Sequence, residues 1–172
     1  RHPARVGPDG LLKPLDEQDR ALWDRELIDE GVALVERAAP GARPGPYLLQ
    51  ACIAALHAEA PDTAATDWDE ILALYRLLEL VTGHANPTIT LNRVVAQAMV
   101  SGHDVALAHL DALEAEHPRL PRLDAVRAHL LEQAGRTDDA AKAYRRAIAT
   151  TVNLAEQQHL RHRLRRLTTA DG

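Results

Sequence analysis

Pro87 and Pro121 stand 34 residues apart, and the same interval separates Ala106 from Ala140, Leu110 from Tyr144, and Leu113 from Ala147. Each block reads as a helix, a short turn and a second helix. Alanine falls where two backbones must approach, and a large side chain follows one turn later. A helix pair of this kind exposes an apolar face that only a neighbouring pair can cover, so the recurrence predicts pairs stacked in a row. Composition agrees. Of the 172 residues, 31 are Ala and 26 are Leu, both strong helix formers, while aromatics make up 3% and Phe is absent. The β-branched and aromatic residues that fill sheets are too few for a sandwich or barrel.

Caps and breakers divide the chain into eight expected helices. The first runs from Asp16, its N-cap, to Ala39. The second spans Pro46 to Ala60, with Leu48, Leu49, Cys52, Ile53 and Leu56 on one broad face. Asp67 or Thr66 caps the third, whose stripe is Trp68, Ile71, Leu72, Tyr75 and Leu78. The fourth begins after Asn86-Pro87 and ends at Ser101. Asp104 caps the fifth, Pro121 opens the sixth, Thr137 or Asp138 starts the seventh, and Asn153 caps the eighth. Trp23, Trp68, Tyr47 and Tyr75 are expected as core wedges between helices.

A 34-residue helix–turn–helix period marks the tetratricopeptide (TPR) repeat. The expected fold is therefore all-α, a right-handed superhelix of antiparallel helix hairpins. Its clearest repeats cover residues 87–152, and a capping helix covers 153–168. Asp67 to Leu78 resembles another second helix, with Tyr75 in the aromatic slot. Residues 1–14, rich in Pro and Gly, read as a linker or arm, and residues 15–172 as the helical domain. The first residue is Arg1 and the sole Met is Met99, so the chain reads as part of a longer protein.

Chemistry is sparse. Ser101 is the sole serine and ends a helix, the nine glycines are dispersed, and Cys52 lies among apolar neighbours. No catalytic residue and no cofactor are expected. His159 and His162 lie three apart, but Arg161, Arg163, Arg165 and Arg166 oppose a cation there, so no metal is expected either. The net charge of −5 gives no general attraction for nucleic acid, no apolar run is long enough to cross a membrane, and a single Cys suits the cytoplasm. Charge is uneven. Arg136, Lys142, Arg145, Arg146, Arg161, Arg163, Arg165 and Arg166 are set against only Asp138, Asp139 and Glu156 over residues 136–166, a solvated face or a docking patch for an acidic partner or nucleic acid, although no stacking aromatics lie among these arginines.

In a stack of this kind the first helix of each pair lines the concave side. Gln50, His57, Asn92 and Arg93 fall on those helices and are the candidate partner contacts. The competing role for His57 is a hydrogen bond within the core. For Asn92 and Arg93 it is capping or an ion pair between helices.

Several strings go beyond a generic repeat: RHPARV at the start, DEQDRALWDRELIDEG (16–31), GPYLLQACIAALHAEAP (45–61), TDWDEILALYRLLEL (66–80), NPTITLNRVVAQAMVSG (86–102) and AGRTDDAAKAYRRAI (134–148). Together and in this order they resemble the C-terminal, TPR-like extension of a group of extracytoplasmic-function sigma factors of bacterial RNA polymerase. Asp19, Arg20, Trp23 and Asp24 match that family's pattern, whereas Glu17, Ala21 and Leu22 depart from it. The resemblance implies a non-enzymatic regulatory domain acting through protein–protein contacts with its own upstream sigma domains or the polymerase core. Asp19, Arg20, Trp23 and Asp24 would be contact residues, and promoter DNA would be reached through the upstream domains alone. The alternative is a free-standing TPR adaptor that binds a peptide of another protein. Neither reading specifies an oligomeric state.

Overall fold

The structure is a computed structural model that describes residues 2–7, 13–38, 40 and 43–170. Among these residues the chain forms eight α-helices: α1 (Arg25–Ala38), α2 (Pro46–Glu59), α3 (Trp68–Val81), α4 (Pro87–Ser101), α5 (His103–Glu116), α6 (Leu123–Gln133), α7 (Thr137–Thr150) and α8 (Leu154–Ala170). No β-strand occurs among the described residues. Each helix packs chiefly on the one before and the one after it, and α4 also touches α6. A bundle around one shared axis would bring distant helices together. Sequential contacts are those of stacked hairpins, which is the TPR-like solenoid expected.

The repeat reads directly in the core. Ala106 and Ala140 are completely buried, as is Leu110, and Tyr144, its partner 34 residues on, is nearly so. Leu113 and Ala147 are buried in the same way. Val94 and Ala128 are likewise one period apart and wholly enclosed. These side chains and Leu160 form the largest apolar cluster, which joins α4 to α8 without a break. A second cluster gathers Leu49, Ile53, Ile71, Leu72, Leu78, Ile89 and Ala96 from α2, α3 and α4.

Local chemistry sets several helix ends. Asp67 Oδ1 accepts from Glu70 N at 2.9 Å, Asn86 Oδ1 from Thr88 N at 3.0 Å, and Asn153 Oδ1 from Ala155 N at 3.0 Å. Gly102 and Gly135 turn the chain at φ of 87° and 72°, a left-handed backbone that costs glycine nothing.

Four expectations need correction. The first helix does not run from Asp16 to Ala39: α1 starts at Arg25, and residues 15–17 and 20–22 form separate 3-10 turns. Asp19 and Asp24 act as local hydrogen-bond acceptors, from Ala21 N at 2.9 Å and Leu27 N at 3.1 Å, and break the run into pieces. The side chain of Asp16 and residue Ala39 lie outside the described residues. Asp104 sits in the first turn of α5 instead of capping it; Gly102 is the cap. Pro121 precedes α6 by two residues, because Arg122 turns through a left-handed conformation at φ 68° before Leu123. Tyr47 is no core wedge. It is 89% exposed at the start of α2, whereas Trp23 is buried and Trp68 and Tyr75 are half-buried against the core.

Candidate interaction surface

Because α1 starts at Arg25, the arm extends past residue 14 to residue 24, and this segment is seated on the body through two arginines. Arg20, 5% exposed, donates from Nη1 to the carbonyls of His57 at 2.8 Å and Ala60 at 2.7 Å. Its Nη2 reaches Thr66 Oγ1 at 3.4 Å. Those carbonyls end α2, where the helix dipole is negative and peptide oxygens lack intrahelical donors, so a guanidinium fits the place well. The Arg20 guanidinium also lies 5.2 Å from the centre of the Trp23 ring. Trp23, Ala4 and Ala58 make a small buried cluster beneath it, with Leu15 and Ile28 at the margin.

The second arginine belongs to the body. Arg163 of α8 is 8% exposed, and its Nε and Nη2 donate to Glu132 Oε2 of α6 at 3.1 and 2.7 Å. The Tyr144 hydroxyl donates to the same oxygen at 2.5 Å. Arg163 Nη1 donates to Glu17 Oε1, a residue 146 positions away. Burial and the nearby Glu132 carboxylate raise the Tyr144 phenol well above its ordinary pKa. Burial, the largest single influence on Arg163, lowers its pKa, but the hydrogen bond and charge of Glu132 together with Tyr144 outweigh it, the net shift is upward and the group stays charged. Residues 15–23 thus touch two helices far apart in the chain: the C-terminus of α2 through Arg20, and α8 through Glu17.

The candidate partner residues separate into groups. Arg20, Trp23 and His57 converge at the end of α2, where the His57 ring also meets Trp68 edge-on with centroids 5.2 Å apart. Asp19 and Asp24 are exposed and hold local turns. Gln50 and Asn92 lie exposed on α2 and α4. Arg93 turns to α3, where its Nε meets Glu79 Oε2 at 2.8 Å. Glu17, Glu132 and Tyr144 were not candidates, and Arg163 was one only as a member of the basic stretch over residues 136–166. Arg163 could have been found, because it follows Leu160 by three residues and precedes Leu167 by four, on the apolar stripe of its helix.

The basic stretch is largely neutralised where it meets the body. Arg136 and Lys142 bind Asp139 at 2.9 and 3.2 Å, holding that carboxyl below its usual range, and Arg146 binds Asp124 at 2.9 Å. Arg145, Arg161, Arg165 and Arg166 remain exposed. The α8 surface has an open cleft lined by Gln158, Arg161, Leu164 and Arg165. Cys52 is half-buried, and burial, with the Glu70 charge behind it, raises its thiol pKa and makes it a poor nucleophile. Among the described residues no group of three or more His, Cys, Asp or Glu could hold a metal, and no helix is long and apolar enough to cross a membrane.

The Family of unknown function (DUF6596) matches residues 1–39, the arm and α1. An uncharacterized protein of Rhizobium meliloti (strain 1021) is 40% identical over 161 residues, which cover 94% of this chain and 38% of that protein. The chain therefore spans well under half the length of this relative. The crystal structure of a thermophilic TPR protein from Thermus thermophilus superposes with a TM-score of 0.58 at 21% identity, covering 90% of this chain and 80% of that one. At that identity the likeness concerns architecture alone, and it agrees with the stacked hairpins: the chain has the fold of a TPR protein.

Proposed function

We propose that this chain is the protein-interaction domain of a bacterial RNA polymerase sigma factor, acting in the cytoplasm as a non-enzymatic C-terminal extension. It regulates initiation through contacts with its own sigma domains or with the polymerase core. The TPR-like stack supports the interaction role, since such stacks present extended surfaces to partners. The sigma-factor role rests on the ordered strings from RHPARV to AGRTDDAAKAYRRAI. One of these, residues 16–31, contains Arg20 and Trp23, the residues that seat the arm on the body. An arm seated in this way would hold preceding domains at a set position relative to the stack.

The in-frame coding sequence upstream of Arg1 tests the reading. Sigma domains with a helix-turn-helix segment are expected there. A start codon adjacent to Arg1 contradicts the proposal and leaves a free-standing adaptor. A binding measurement is the biochemical counterpart: the purified chain should co-elute with those sigma domains or with polymerase core, and failure with both overturns the regulatory role.

A further inference from the structure

We propose that Arg163, closed in this structure by Glu17, is an anion-recognition point for an extended acidic segment of a partner protein, and that the Glu17 turn is the gate such a segment displaces while the rest of the arm stays in place. The inference does not depend on the sigma-factor reading.

Three observations carry it. First, the body builds the site without help from the arm. Two nitrogens of Arg163 are fixed on Glu132, and Tyr144 fixes Glu132 in turn, so Nη1 is aimed by groups of the body alone. Second, the carboxylate that fills it comes from a different part of the chain. Glu17 lies in a 3-10 turn, and among the described residues that turn's backbone bonds stay within the arm, to Pro14 and Leu15. Among the described residues, the hydrogen bond that holds Glu17 to α8 is made by its side chain, to Arg163. Third, the exchange is chemically even. A partner carboxylate replaces Glu17 on the same guanidinium, while Arg20 and Trp23 keep the rest of the arm seated. Arg166, exposed three residues along α8 and on the same side as Arg163, favours an acidic segment over a neutral one.

The test uses the full chain and a fluorescently labelled hexaglutamate peptide, read by anisotropy at matched ionic strength. Wild type should bind weakly, because the tethered Glu17 competes at high local concentration. Glu17→Gln should bind at least tenfold more tightly, hexaglutamine should not bind, and Glu17→Gln with Arg163→Met should lose the gain. Equal binding by wild type and Glu17→Gln, or a gain that survives Arg163→Met, would overturn the proposal and assign the affinity to the exposed arginines. If Arg163→Met fails to fold, the comparison of wild type with Glu17→Gln decides alone. Amide exchange at Gln18 supplies an independent reading: it should quicken at least tenfold in Glu17→Gln, and an unchanged rate counts against the gate.

Discussion

Arg20 does the work of several caps. Its guanidinium satisfies two carbonyls at the end of α2 that have no intrahelical donor. Arg20→Ala should therefore cost about 2–4 kcal/mol, from buried acceptors left unpaired and lost packing on Trp23. Chemical denaturation would measure the loss, and a red shift of Trp23 emission would locate it. Tyr144 makes a prediction of opposite polarity to a carboxylate's. Its pKa is raised in the folded state, so the folded chain holds the proton more tightly than the unfolded one. That stabilisation is complete below the ordinary tyrosine value of 10.0 and is lost as pH climbs above it. Wild type should lose stability between neutral pH and strongly alkaline solution, and Tyr144→Phe should lose less over the same range, as melting curves would register. Tyr144 was legible in the sequence because its period partner, Leu110, announces a core position. Arg163 was legible in part: its place on the Leu160–Leu167 stripe marks an inward position, but amid Arg161, Arg165 and Arg166 its charge reads as one more solvated residue, and its partner Glu132 is a long-range one that periodicity does not encode.

Helices were legible where a short-range rule decides their ends. Asp67, Asn86, Asn153 and the two glycines Gly102 and Gly135 act through neighbours a few residues away, and the structure keeps them at helix boundaries. The stretch from Asp16 to Asp24 failed because its outcome is tertiary. Its periodicity suits a helix, but Arg20 and Trp23 gain more from the end of α2 than a continuous helix would return. The α1 helix itself has no buried residue, and Leu27 is 64% exposed, so its position depends on one neighbour. Close approach of α6 and α7 depends on alanine. Ala140 is enclosed with Ala128 and Tyr144 in one cluster, and Ala140→Leu should overpack the pair by about 1–3 kcal/mol. An unchanged melting temperature would contradict the assignment of Ala140 to the contact between helices.

At the scale of the whole molecule, stability should be distributed as in a row of units coupled to their neighbours. The large cluster from α4 to α8 forms the stiff part, the smaller cluster holds α2 and α3 to α4, and α1 is the loosest end. The arm adds what a simple row lacks, a link between α2 and α8 through Arg20 and Glu17. Native-state hydrogen exchange measures this distribution directly. Stacked pairs predict slowest exchange in α6 and α7, with α1 opening at least about tenfold faster than they do. Exchange of all eight helices at one common rate would contradict the stack and require a single cooperative bundle in its place.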